Sequence, residues 1–280
     1  MQEIDLTKEN LKERLSNDTI KLLDLAVMAG RVALASRNRG LTSNDIHLSG
    51  FVSSGDLDVD SFVHAKARLE FPQAAILSEE THALFTSKES QDILIVDPID
   101  GTRWYKDGGD IWSIVLSLVK NGELKSAVIS QPDLGVITFA EKGLGAFCQK
   151  DGRVNQIRVN PGTDLLKSKV GLGAKMADPE TRAQIGELAK QVILQSRGAY
   201  IIESSGYELS CLARGVGFSA YIHPHAPAWD KSAGMLLVRE AGGVATGWPG
   251  RDDLFGAGVL VASNPELYGK IADLATKYVC

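Results

Sequence analysis

The sequence predicts an α+β protein, with an antiparallel sheet in its N-terminal half and a mixed sheet with helices in its C-terminal half. Three observations carry this. Between residues 74 and 140, short apolar runs follow one another across the turn signals Val119-Lys120-Asn121-Gly122-Glu123 and Asp133-Leu134-Gly135. Successive hairpins of this kind imply antiparallel pairing. Beyond residue 160 the texture changes to helices alternating with short strands. A chain of 280 residues, 44% hydrophobic and 23% charged, can also bury a sizeable core.

The elements follow in order. Asn17-Asp18-Thr19 offers an N-cap for a long helix through Ile20, Leu23, Val27 and Leu34, stopped by Arg37, Arg39 and Gly40. Residues 40–55, rich in Ser, Gly and Asn, read as a loop. Asp56-Leu57-Asp58-Val59-Asp60 opens a second helix that ends near Phe71-Pro72. Strands are predicted at Ala74–Leu77, Asp92–Val96, Ile111–Val119, Leu124–Gln131 and Val136–Ala140. Helices are predicted at Pro179–Gln195, Tyr207–Arg214, Lys231–Ala241 and Pro265–Lys277, the last with Asn264 as cap and proline first. Strands near Ala199–Glu203, Phe218–Ile222 and Gly258–Val261 lie between them. The junction falls at Asn155–Asp164, dividing residues 1–158 from 159–280, either as two halves or as parts of one continuous core.

Charge and cysteine usage exclude several classes. A net charge of −5 argues against binding a nucleic-acid polymer, which needs a clustered basic surface. Cys148, Cys211 and Cys280 are far apart and form no CxxC, so neither a disulfide framework nor a thiolate zinc site is indicated. Met1 to Asn17 is too polar for a secretory signal, and no apolar run approaches the ~18 residues of a membrane span. The expectation is a cytoplasmic protein with no membrane association.

Chemistry concentrates at Asp97-Pro98-Ile99-Asp100-Gly101-Thr102, just after the apolar run Ile93-Leu94-Ile95-Val96. Pro98 removes a backbone donor and Gly101 permits a sharp turn, so both carboxylates should converge where a buried strand ends. Two close carboxylates repel unless a proton or cation intervenes, and a hard cation such as Mg²⁺ favours oxygen ligands. Ser78-Glu79-Glu80 ends another short apolar run, and Trp229-Asp230 precedes a helix. Taken singly, Glu79-Glu80 reads first as a solvated turn, and Asp230 as an ordinary N-cap.

Taken together, Ser-Glu-Glu at 78–80, Asp-Pro-Ile-Asp-Gly-Thr at 97–102, Trp-Asp-Lys-Ser-Ala-Gly at 229–234 and Glu240-Ala241-Gly242-Gly243 resemble the inositol monophosphatase superfamily. Its members are magnesium-dependent, lithium-sensitive phosphatases of small molecules. The resemblance spans nearly the whole chain. It implies a layered αβαβα sandwich, a homodimer, and two or three Mg²⁺ ions per site. In this resemblance Glu79 is a metal ligand, Asp97 bridges two cations, Ile99 offers its carbonyl, and Asp100 and Asp230 complete the second metal's ligands. Most ligands thus lie in 1–158, with Asp230 and the substrate pocket in 159–280. Ser53-Ser54-Gly55-Asp56 resembles a Thr-x-x-Asp motif, making Asp56 the partner of Thr102 in positioning water, with Glu79 as the third catalytic group. Glu80 falls outside the ligand set, and Asp58 and Asp60 stay as opening residues of the second helix.

For substrate, the N–H groups of Gly101 and Thr102 would cradle phosphate beside Asp100 and Asp230. Ser204-Ser205-Gly206 resembles the family's small-residue helix start beside the substrate. Arg103 reads either as the partner of a second anionic group, as in bisphosphate nucleotidases and some histidinol-phosphate phosphatases, or as an exposed loop cation. His223 stands where inositol monophosphatases carry an acid for inositol hydroxyls, and histidine cannot replace a carboxylate that accepts two of them. Asn44-Asp45-Ile46-His47 lacks the lysine common in that region. Inositol or sugar monophosphates lead 3′,5′-bisphosphorylated nucleotides as substrates; a non-catalytic binding protein retaining the fold is the reading from another class.

Overall fold

The computed structural model describes residues 13–41, 43–44, 52–85, 92–173, 179–248, 251 and 253–279. Asp45-Ile46-His47 and Cys280 lie outside them, as do the first twelve residues.

Helix α1 (Asn17–Arg39) takes its cap one residue before the predicted Asn17-Asp18-Thr19, at Ser16, which accepts the N–H of Thr19. A short pair, β1 (Ser43–Asn44) and β2 (Val52–Ser53), lies where the sequence predicted only loop. Helix α2 (Ser54–Glu70) opens with a capping box in which Ser53 and Asp56 bond reciprocally. Seven strands then form one sheet in sequence order: β3 (Ala74–Ser78), β4 (Asp92–Asp100), β5 (Ser113–Lys120), β6 (Glu123–Gln131), β7 (Val136–Glu141), β8 (Gly145–Lys150) and β9 (Arg153–Gln156). All neighbours pair antiparallel except β3 and β4, which run parallel. Helix α3 (Thr102–Lys106) interrupts the passage from β4 to β5.

The second half gives a five-stranded mixed sheet from β10 (Lys169–Leu172), β11 (Gly198–Tyr200), β12 (Ala220–His223), β13 (Val244–Gly247) and β14 (Val259–Ala262), in the order β11-β10-β12-β14-β13. Helices α4 (Pro179–Gln195), α5 (Ser205–Ala213), α6 (Ala228–Glu240) and α7 (Pro265–Tyr278) alternate with it. Strands β8, β9, β10 and β13 had no sequence expectation. Among the described residues no helix is long and apolar enough to cross a membrane.

Three packing seams hold these parts together. On one face of the large sheet, Leu22, Leu25 and Val63 of α1 and α2 pack with Leu94, Leu116 and Val128. On the other face, Val115, Ala127 and Ile129 meet Leu209 and Leu212 of α5, Leu237 of α6, and Tyr221 and Val259 of the second sheet. Residues adjacent in sequence, such as Val115 and Leu116, thus enter opposite seams, as the two-residue period of a strand requires. Beyond the second sheet, Val170 and Ile222 pack with Leu188 of α4 and Ile271 of α7. The middle seam draws on both halves of the chain, so one core crosses the Asn155–Asp164 junction.

Candidate metal-dependent active site

The site forms where β3 ends beside β4, which runs on to Asp100, past the Val96 at which the sequence predicts its end, so Asp97 and Asp100 belong to the strand itself. Parallel pairing aligns Ser78 with Val96, and the N–H of Glu79 continues the ladder to the Val96 carbonyl at 3.1 Å. Glu79 therefore leaves its strand next to Asp97. On its other side β4 pairs with β5, and there the register slips: Asp97 faces Val115 while Asp100 faces Ser113. Three steps on one strand match two on the other, a bulge at Pro98-Ile99. This bulge lets Asp97 and Asp100 escape the alternation that would send residues three apart to opposite faces.

Asp230 arrives from the first turn of α6. The preceding Trp229 is anchored against Leu77, Ile93 and Ile95 of β3 and β4, with its ring 5.0 Å from that of His82. The next residue, Lys231, is fully buried and donates to the carbonyls of Asp253 (3.3 Å), Gly256 and Gly258 (2.9 Å). Burial pulls its ammonium down to about 8. With α6 held on both sides, carboxylate oxygens of Glu79, Asp97 and Asp230 all lie within 4.8 Å of one another.

Electrostatics mark the same place. Asp97 is 2% exposed, and its Oδ1 has no hydrogen-bond partner. Burial first, then the charges of Glu79, Asp100, Asp230 and Asp56, push its carboxyl well above the ordinary range. Glu80 is pushed up to about 8 by burial and by Glu79, Asp56 and Asp60. A bare buried carboxylate oxygen inside a cluster of acids, with no sulfur or imidazole among the three, fits a hard divalent cation. Glu79, Asp97 and Asp230 would hold it.

Asp100 is different. Its Oδ2 accepts from Ser204 Oγ at 2.5 Å, Ser113 Oγ at 2.8 Å and Gly206 N at 3.0 Å. Burial raises its carboxyl, against the lowering effect of these bonds. Asp100 is not among the three acids that cluster within 4.8 Å. Gly206 directs its N–H to Asp100, and a Cβ there would stand 2.4 Å from Ser113 Oγ. The small residue at 206 thus serves the approach of α5 to β5. Ser205 bonds the Tyr221 hydroxyl at 2.7 Å.

Thr102 and Asp56 come together. The Thr102 hydroxyl points to Asp56 Oδ1 at 3.2 Å and the Ile99 carbonyl at 3.0 Å, so Ile99 O already accepts a hydrogen bond. Asp56 Oδ2 is held by Ser53 through its N–H (2.8 Å) and hydroxyl (2.5 Å). Burial lifts the Asp56 carboxyl to about 6, against the lowering effect of those bonds and of Thr102. Gly101 takes φ +83°, and a Cβ there would stand 2.7 Å from the Ile111 carbonyl, so glycine is required at this turn.

The remaining predicted residues divide. His223 is buried; its Nδ1 accepts the His225 N–H at 3.3 Å and its Nε2 lies 4.0 Å from Asp230 Oδ2. Arg103 stands at the rim in an ion pair with Glu203 at 3.1 Å. Asp58 faces Ser36 and Arg39, away from the cluster. Asp60 is no solvated helix-opening residue: it sits on the second turn of α2, 6% exposed, and accepts from Ser78 Oγ at 2.5 Å. Sequence reasoning missed Ser113 and Glu203, the bond of Ser204 to Asp100, and Ser53's double bond to Asp56. Only Ser53 carried a signal, as the Ser-x-x-Asp of a capping box.

Comparison with known proteins gives a concordant result. The family model described as "Inositol monophosphatase family" matches residues 16–279. An inositol-1-monophosphatase of Mesorhizobium japonicum is 28% identical over 247 residues, 87% of this chain and 90% of that protein. A Nus factor SuhB of Xylella fastidiosa is 29% identical over 236 residues, 82% of each chain. A 3′(2′),5′-bisphosphate nucleotidase CysQ of Aggregatibacter actinomycetemcomitans is 28% identical over 229 residues, 80% of this chain and 81% of that protein. Among solved structures, the extragenic suppressor protein suhB of Bartonella henselae superposes with a TM-score of 0.83 at 23% identity, covering 94% of this chain and all of that one, and shows the fold.

Proposed function

The chain belongs to the inositol monophosphatase family, and from that premise we propose a Mg²⁺-dependent phosphomonoesterase for a small phosphorylated metabolite, inositol monophosphate or a related sugar or polyol phosphate first. The observation that carries this reading is the cluster of Glu79, Asp97 and Asp230 around the unpartnered Asp97 Oδ1. Glu79, Asp97 and Asp230, with Asp100 and the Ile99 carbonyl, would hold divalent ions, which would supply charge neutralisation for an in-line displacement.

The chain's own residues do the rest. Thr102 directs its hydroxyl proton toward Asp56 and the Ile99 carbonyl, which leaves its oxygen free to accept a hydrogen bond from water. Asp56, lifted to about 6, is a competent acceptor for the proton that such a water releases. Ser53 fixes the carboxylate through its other oxygen. The Gly101-Thr102 turn presents backbone N–H groups for phosphate oxygens. Family membership further supports lithium sensitivity and a homodimer working in the cytoplasm; analytical ultracentrifugation checks the dimer.

Phosphate release over a panel of phosphomonoesters with Mg²⁺ tests the proposal. Inositol and sugar monophosphates are expected to lead in kcat/KM. The second reading, a 3′(2′),5′-bisphosphate nucleotidase, draws on the cationic residue directly after Thr102 and on the bisphosphate nucleotidase relative, although Glu203 already pairs with that guanidinium. A bisphosphate ahead by orders of magnitude selects it. Histidinol phosphate belongs in the same panel. Turnover of nothing selects a binding protein, in keeping with the relative described as a Nus factor.

A further inference from the structure

Glu203 adopts φ +62°, a left-handed conformation that a residue with a side chain holds only when its surroundings impose it. The imposition is visible on both sides. Trp104 Nε1 donates to the Ile202 carbonyl at 2.7 Å, just before it. Ser204 Oγ and Gly206 N bond Asp100, just after it. The segment is thus fastened at both ends to the turn that carries Thr102.

The side chain so placed meets Arg103. Nη1 of Arg103 donates to Glu203 Oε2 at 3.1 Å and Oε1 at 3.4 Å. Arg103 follows Thr102 directly, and its exposed guanidinium marks the rim of the candidate site. Both side chains are reachable from solvent, at 62% and 46% exposure.

A guanidinium is the group of choice for a second phosphate, since it offers paired donors in a plane. Here those donors already face a carboxylate. A substrate bringing a second phosphate to this rim must displace Glu203 and then lie beside its charge. A substrate whose remainder is neutral and hydroxyl-rich meets no such repulsion, and its hydroxyls can donate to the same carboxylate.

We infer that Glu203 is a specificity residue, reserving Arg103 and biasing the cleft against phosphomonoesters that carry a second phosphate near the first. This rests on the phosphomonoesterase reading above and narrows its substrate class. An exposed ion pair is worth little, so the bias is moderate.

Glu203→Gly suits the left-handed backbone and removes the carboxylate; Glu203→Gln keeps its shape and removes only the charge. The ratio of kcat/KM for adenosine 3′,5′-bisphosphate to kcat/KM for myo-inositol 1-phosphate is expected to rise about fivefold in both variants. Adding Arg103→Ala to Glu203→Gly should return the ratio toward wild type. A purely structural contact would shift the thermal midpoint and leave the ratio in place, and an unchanged ratio overturns the inference. Absence of any phosphate release defeats the phosphomonoesterase reading instead. Calorimetric binding of adenosine 3′,5′-bisphosphate with Mg²⁺ then still decides the point: tighter binding to both variants upholds the reservation of Arg103, and equal binding ends it.

Discussion

The floor of the cleft at Asp97 and its wall at Asp100 are built from the same strand, three residues apart, and are finished in opposite ways. At the floor the protein brings acids together and leaves an oxygen bare. At the wall it surrounds one oxygen with two hydroxyls and an N–H. A carboxylate wrapped in donors can stay charged without an ion, whereas a bare one among other acids has only a proton or a cation to neutralise it. The contrast teaches where a cation would bind: at the place the chain declines to supply donors.

Asp97→Asn is the strongest way to break this contrast. Mg²⁺-dependent turnover is expected to fall by roughly 10³-fold or more, about 4 kcal/mol of barrier. The rise in thermal midpoint that Mg²⁺ gives the wild type by mass action should shrink with it. If Asp100→Asn abolished that rise and Asp97→Asn spared it, floor and wall would have exchanged roles.

Asp56, beside Thr102, should hold a proton when the metal is removed. Burial holds Asp56 at about 6 against an ordinary 3.8, so between those values the folded protein keeps a proton that the unfolded chain releases. Metal-free stability from this group is therefore highest below about pH 4 and is lost as pH rises to about 6, by roughly 3 kcal/mol. Urea unfolding in chelator at several pH values checks it, and Asp56→Asn should flatten that part of the slope. Next in size, Thr102→Ala should lower kcat by about 10²-fold with little change in KM, in stopped phosphate-release assays. A loss confined to KM would remove Thr102 from water positioning.

The wall gives the smallest effect. Ser204→Ala deletes one of three donors to a charged oxygen and should cost about 1.5–3 kcal/mol of stability, read by urea midpoint. A loss of Mg²⁺ response in this variant would mean that wall and floor act as one unit.

Much of this was legible in the sequence, for physical reasons that differ by element. Helices α1, α4 and α7 declared themselves through capping residues and proline or glycine at their ends, and β4 to β7 through apolar runs parted by turn residues. Strand β9 escaped because Arg153–Gln156 is short and mostly exposed, and β8 because Gly145–Lys150 opens on glycine and closes on the polar Gln149 and Lys150. Helices α5 and α6 begin two and three residues before their predicted starts, since small residues such as Ser205 and Ala228 carry no periodic signal. At the site, the structure brings Glu79, Asp97 and Asp230 together; the sequence named them through the motifs that resemble the inositol monophosphatase superfamily, since read singly Glu79 and Asp230 pass for a solvated turn and an N-cap. The donors to Asp100 could not. Ser113 and Ser204 meet Asp100 only after β5 and α5 have docked, and no spacing in the sequence encodes that meeting.

The parallel step from β3 to β4, set in an otherwise antiparallel sheet, has a consequence for how the molecule is made. Hairpins β4 to β9 can close as they leave the ribosome, each from its immediate neighbour. The acidic cluster cannot: Glu79 reaches Asp97 only through the connection between two parallel strands, and Asp230 comes from α6, packed between the two sheets, after most of the chain is synthesised. Such contacts of high sequence separation are slow to form. Like charges are thus gathered last, onto a scaffold already built, and a divalent ion present during synthesis would act on the final closure of the fold and leave its nucleation untouched.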